Sequence, residues 1–208
     1  MCGGTIDSIN ETIDLFISYG LLFKVNNANK DFTLFYAKEG KISELPLAIF
    51  VNHKTNSGAE LIAGSLQYHK RAIVYGEKTF GNATIYLTHN FANNESYVME
   101  IFNSLYNLPS GKTFQSVGIK PDIQISSEFD GGFSNSKKED LFINHYPTLK
   151  DEEDKASHLP LKEIQDWVKE YGKANDEIKK RRKDPIRPDY FLFRAVDAFN
   201  GYLETQSK

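Results

Sequence analysis

The chain has 208 residues, 40 % of them apolar and 25 % charged, with a formal net charge of −3. That balance suits one large globular domain, or one and a half small ones, and offers no basic stripe for nucleic acid. One cysteine, Cys2, excludes an internal disulfide and a cysteine-based zinc site, and no run is long and apolar enough to span a bilayer.

Met1 to Gly4 is a glycine-bearing opening. Ile6, Ile9, Ile13, Phe16 and Ile17 then recur at helical spacing, which predicts a helix ending near Gly20. Leu21 to Val25 and Thr33 to Ala37 read as strands around a polar loop, Asn26 to Lys30. Pro46 to Val51 is a near-continuous apolar run, the pattern of a strand buried on both faces. A polar turn follows, then a helix from Gly58 to about His69, then a further buried strand, Arg71 to Tyr75. Strand, helix and strand in that order imply a right-handed crossover in an α/β sheet. Gly76 to Gly81 is a turn, Thr84 to Thr88 and Tyr97 to Tyr106 read as strands, and Asp122 to Ile125 as a last short one.

Composition shifts after about residue 127. Ser126 to Lys138 is rich in Ser, Gly, Asp and Asn and reads as a linker, while Leu159 to Arg182 and Tyr190 to Leu203 read as helices parted by Pro185 and Pro188. The expected organisation is a core over 1–127, a linker with a short helix over 128–157, and a helical extension over 158–208. The basic cluster Lys179-Lys180-Arg181-Arg182-Lys183 reads as a solvated helix end, nearly balanced by Asp151-Glu152-Glu153-Asp154. His53, His69, His89, His145 and His158 show no His-x-x-x-His spacing, so no metal and no cofactor is expected.

The chemistry concentrates in Asn52-His53-Lys54-Thr55-Asn56-Ser57-Gly58-Ala59-Glu60. Here a serine sits at the mouth of a helix, where unpaired N–H groups and the helix dipole can stabilise an oxyanion. The same position also suits a plain N-cap serine. Glu60, in the first helical turn, suits either a supporting role or a favourable charge on the dipole.

Several segments, in order, resemble the C-terminal processing peptidases, or tail-specific proteases. Asn52 to Glu60 looks like that family's nucleophile segment, Asn-x-x-Ser-Ala-Ser-Ala-Ser-Glu. Ala63-Gly64-Ser65-Leu66-Gln67 looks like the Ala-Gly-Ala-Leu-Gln that continues its helix. Arg71 to Gly81 is similar to the strand and turn leading to the family's lysine. Leu108 to Ile125 resembles Thr-Pro-Ser-Gly-Arg-Ser-Ile-Gln-Gly-Lys-Gly-Ile-x-Pro-Asp-Ile, and Gly3-Gly4 the end of Asp-Leu-Arg-x-Asn-x-Gly-Gly. Glu139-Asp140-Leu141 with Asn144-His145, and the Asp189 to Leu203 helix, look like the tail of some members.

The resemblance implies an α/β core of the ClpP/crotonase-like kind, with a mixed sheet and crossover helices, and a serine endopeptidase acting on C-terminal regions of polypeptides. It puts the nucleophile on Ser57, the oxyanion hole on the N–H groups of Gly58 and of Gly3 or Gly4, and supporting roles on Glu60 and Thr79. The family's lysine base falls on Asn82, and its glutamine on Tyr86. An asparagine amide cannot take the serine proton as a buried, neutral lysine amine can. Lys78 lies roughly 10 Å of backbone path away. His69 is expected to point away from the serine, and His53 to sit on the outer side of the turn.

The family's chains also carry an export signal or anchor, a PDZ domain and an Asp-Leu-Arg strand before the Gly-Gly turn. The chain therefore reads as the C-terminal part of a longer protease, with an unpaired sheet edge where that strand would lie. A periplasmic or envelope location follows only if the chain keeps to the family. Two readings stand: a serine peptidase lacking its base at Asn82, or an inactive fragment that assembles with a separate N-terminal half or with a second copy.

Overall fold

The computed structural model describes residues 4–27, 29, 31–90, 98–125, 196 and 199–203. The first helix, α1 (Ile6–Asp14), starts at Thr5, whose side chain accepts the Ser8 N–H at 3.3 Å. It buries Ile9 and Ile13. The helix stops at Asp14, short of Gly20. Phe16 and Ile17 donate three residues back, to Ile13 and Asp14, so the chain tightens into turns that still seat Ile17 in the core.

Among the described residues, seven strands form two separate sheets. β1 (Leu21–Asn27), β2 (Phe32–Tyr36), β5 (Thr84–Asn90) and β6 (Val98–Asn107) make an antiparallel sheet in the order β2-β1-β6-β5. β3 (Leu47–Val51), β4 (Ala72–Gly76) and β7 (Ile123–Gln124) make a parallel one, with β4 in the centre. The helix α2 (Gly58–Tyr68) joins the parallel neighbours β3 and β4, as the strand–helix–strand pattern implies. The α/β reading therefore holds, with the two strand directions sorted into different sheets. No helix of the described residues is long and apolar enough to cross a membrane.

β4 is buried along its whole length. β3 is not: Leu47 to Phe50 are half-buried and only Val51 is fully enclosed. The expectation of a strand covered on both faces fails there because β3 is the outer strand of its sheet, with a partner on one side only among the described residues.

The main core lies between α1, α2 and the antiparallel sheet, and unites Ile9, Ile13, Leu22, Phe23, Leu61 and Leu66 with Tyr106, Phe114 and Ile119. Phe23 stacks on Phe35 at 4.3 Å between ring centres and meets Tyr106 edge-on. A second cluster, Ile73, Tyr75, Ile123 and Ile125, packs with Phe50, Phe199 and Tyr202. The linker and short helix expected over 128–157, and the helix over Leu159 to Arg182, lie outside the described residues. Of the Tyr190 to Leu203 helix, residues 196 and 199–203 are described and helical, and Phe199 meets Tyr75 edge-on at 6.2 Å.

Candidate active site

The polar turn after β3 is organised before Ser57 is reached. Asn52 Oδ1 accepts the Lys54 N–H at 3.0 Å, and the Asn52 carbonyl accepts the Thr55 N–H at 2.9 Å, an Asx-type turn. Thr55 Oγ1 takes the Asn52 N–H at 3.1 Å. The chain then enters α2 through Ser57, at φ 56° and ψ −124°. A side chain at that positive φ is strained by about 1–3 kcal/mol, and such strain persists only where the surroundings over-determine it. It is the backbone of a sharp strand-to-helix turn that lifts a serine out at the helix mouth. No acceptor among the described residues takes the Gly58 N–H, which stands free beside Ser57.

Glu60 supplies the over-determination. Its side chain is fully buried, and its two oxygens accept four donors. Oε1 takes the Thr79 hydroxyl and the Gly81 N–H, the latter at 2.6 Å. Oε2 takes the Ser57 N–H at 3.0 Å and the Asn82 N–H at 2.9 Å. One carboxylate thus fastens the nucleophile turn to the loop after β4. Burial raises the Glu60 pKa above its ordinary value, and the four hydrogen bonds pull the other way without cancelling it. A role limited to the helix dipole does not account for these contacts.

The loop after β4 is in turn docked on the segment after β6. Thr79 Oγ1 accepts the Ile119 N–H at 2.6 Å, and Thr79 N–H donates to the Ile119 carbonyl at 3.1 Å. Gly118 has φ +75°, and a Cβ there would sit 2.9 Å from the Thr79 carbonyl carbon. Gly81, at φ +93°, would put a Cβ 2.9 Å from the Gly118 nitrogen. Buried Gln115 accepts the Ala83 N–H at 2.7 Å, which fixes the start of β5.

Asn82 is half-buried and fully engaged. Its Oδ1 accepts both the Thr84 N–H, at 3.1 Å, and the Thr84 hydroxyl, while its Nδ2 donates to Asn56 Oδ1 at 3.4 Å. No side-chain hydrogen bond among the described residues joins it to Ser57. Tyr86 is 43 % exposed on β5, with its ring away from any described hydrogen-bond partner. Lys78 is exposed. His53 faces outward and pairs with Glu77 at 2.9 Å, and His69 Nε2 donates to the Leu21 carbonyl at 2.8 Å, on the far side of α2. Gly3 lies outside the described residues. Gly4 is exposed just ahead of Thr5, with Ser8 Oγ against the space a Cβ would fill.

The structure therefore brings Ser57, Gly58, Glu60, Thr79 and Asn82 together and leaves Tyr86 at the margin. Sequence reasoning did not single out Asn56, Thr84 or Gln115. The glycines at 81 and 118 were the available signal for a tight loop-on-loop contact.

A profile of Peptidase family S41 matches residues 2–125. The carboxy-terminal-processing protease of Bartonella bacilliformis is 30 % identical over 125 residues, covering 59 % of this chain and 28 % of that protein. The chloroplastic C-terminal processing peptidase of Tetradesmus obliquus is 31 % identical over 86 residues, 41 % of this chain and 18 % of that protein. A solved photosystem II D1 C-terminal processing protease superposes with a TM-score of 0.54 at 25 % identity, over 61 % of this chain and 33 % of that one. The chain spans less than a third of the length of these curated relatives.

Four outcomes follow for stability. Glu60→Gln turns an NH₂ toward two of the four donors and should cost about 2–4 kcal/mol in urea unfolding. Because the Glu60 pKa is raised on folding, its contribution is fully present below the ordinary value of 4.5 and is lost as pH rises through the folded value. Unfolding free energies measured across that window should fall with rising pH in the wild type and fall less in Glu60→Gln; Asp122, raised by the same cause, keeps part of the slope. Ser57→Gly should be more stable than Ser57→Ala by about 1 kcal/mol, since only glycine relieves the positive φ. Gly118→Ala, which combines a positive φ with a backbone clash, should cost about 2–4 kcal/mol by the same assay.

Proposed function

The chain belongs to peptidase family S41, and from that premise we propose that it carries the nucleophile half of a serine-type, C-terminal processing endopeptidase site. Ser57 Oγ is the attacking atom, and the Gly58 N–H is one oxyanion donor. Gly3 is the second donor by resemblance. The observation that carries this reading is the strained Ser57 backbone, whose N–H donates to a buried carboxylate. A capping box also uses the bond to Glu60, but an N-cap serine normally has extended backbone angles and would not need the strain.

In the reaction, Ser57 Oγ forms a bond to the scissile carbonyl carbon while its proton must leave to a base. The carbonyl electrons move onto oxygen, opposite the Gly58 N–H and the positive end of α2. Collapse of that adduct expels the amine and leaves an acyl-serine, which water hydrolyses. Glu60 acts as a positioning residue in this scheme, since its oxygens hold the backbone at Ser57 and at Asn82 rather than the proton.

The proton has no acceptor at position 82. The Asn82 carbonyl oxygen is occupied by Thr84 and its amide group carries no useful basicity. Loss of the base costs on the order of 10⁴ to 10⁶ in turnover, by analogy with triad knockouts. That observation favours a second reading, in which the chain is an inactive member that holds a polypeptide, or a partner carrying the remaining part of the fold, without cutting it.

Fluorophosphonate labelling of the folded protein separates the two. An assembled site that lacks only its base gives no labelling in the wild type and clear labelling in Asn82→Lys, abolished again by Ser57→Ala. Labelling of the wild type that disappears in Ser57→Ala would mean that another group takes the proton. Silence in folded Asn82→Lys would overturn the peptidase reading and leave the binding one.

A further inference from the structure

We propose that the outer edge of β5 is the rail on which an extended polypeptide is laid, backbone to backbone, and led to Ser57. The inference rests on the serine-site reading above and names how that site takes its substrate. β5 is the last strand of the order β2-β1-β6-β5, so no described residue pairs with its far side. A strand edge of this kind presents a row of N–H and C=O groups at the spacing of another extended chain.

The rail begins at the site. Thr84, its first residue, donates twice to Asn82 Oδ1. The Asn82 N–H shares Glu60 Oε2 with the Ser57 N–H. A chain paired along β5 is therefore registered against the nucleophile through a continuous set of hydrogen bonds.

Composition and exposure agree with that use. Thr84 to Asn90 contains no Lys, Arg, Asp, Glu or Pro, the residues with which proteins guard an edge meant to stay unpaired. Past Ile85 the β5–β6 ribbon stands clear of the core on both sides. Tyr86 is 43 % exposed on one face and Leu87 56 % on the other, beside Ile101 at 46 %. Those side chains meet the alternating residues of a peptide added at the edge, while the backbone supplies affinity without demanding a sequence.

Three other outer strands exist among the described residues, and none of them is bonded to Asn82. β2 lies across β1 and β6 from the site, and β3 and β7 belong to the other sheet. The structure therefore assigns the peptide to β5 rather than to β2, β3 or β7.

Hydrogen exchange of the full chain, with and without a short uncharged peptide of alternating valine and threonine, tests this. Amides of Thr84 to Asn90 should slow by roughly tenfold with saturating peptide. N-methylation of the peptide at every second residue should weaken binding, read by fluorescence anisotropy, by roughly tenfold, and methylation of the other set should not. Protection confined to β2, β3 or β7, no two-residue period, or no binding overturns the proposal. So does β5 protection that grows with protein concentration in the absence of peptide, which would give the edge to a second copy. Labelling of Asn82→Lys without β5 protection removes the rail and leaves the serine site. β5 protection without labelling keeps the rail and removes the peptidase.

Discussion

The Glu60 carboxylate is the constraint on which the local architecture depends. Four donors from the nucleophile turn and the loop after β4 converge on two buried oxygens. Removing a charge from water is costly, and it is tolerated here because every lone-pair direction finds a donor. The bonds also convert a local strain into a shared one. Ser57 stays at φ 56° because leaving it would unfasten Gly81 and Asn82 as well.

This arrangement explains how the site's frame and its chemistry separate. Glu60, Thr79, Gly81 and Gly118 hold backbone to backbone, and none of those bonds requires a particular side chain at position 82. Only the Asn82 N–H is used by the clamp. A change of side chain there can remove a base while the turn, the helix mouth and the free Gly58 N–H keep their geometry. Asn82 even improves local satisfaction, since Thr84 and Asn56 both find partners on its amide.

Much of this was legible in the sequence. Apolar runs located the seven strands of the described residues to within a few positions, and strand, polar turn, serine and helix located the candidate nucleophile. What escaped depended on contacts between distant segments. Glu60 at the third helical position looks the same whether it favours a dipole or anchors a loop; burial beneath Thr79 decides it. β3 and β4 have near-identical apolar patterns, yet β3 is half-exposed because strand order, which periodicity does not encode, leaves it outermost. Asn56, Thr84 and Gln115 are unremarkable polar residues in the chain and acquire roles only when their loops meet. The α1 periodicity likewise ran past its end, because Phe16 and Ile17 keep facing the core through turns.

The edge-on contact between Phe199 and Tyr75 has a consequence for the order in which the chain takes shape. Tyr75, Ile73, Phe50 and Ile123 are all synthesised well before their aromatic cover. At roughly 5–20 residues per second, on the order of ten seconds pass between Ile125 and Phe199 leaving the ribosomal active site. Throughout that interval the described aromatic cover of Tyr75 (Phe199 and Tyr202) is absent from the nascent chain. Closing that cover joins segments more than half the chain apart, a contact whose loop entropy defers it to the end of folding. Residues 199–203 thus add their aromatic contacts to the parallel sheet late.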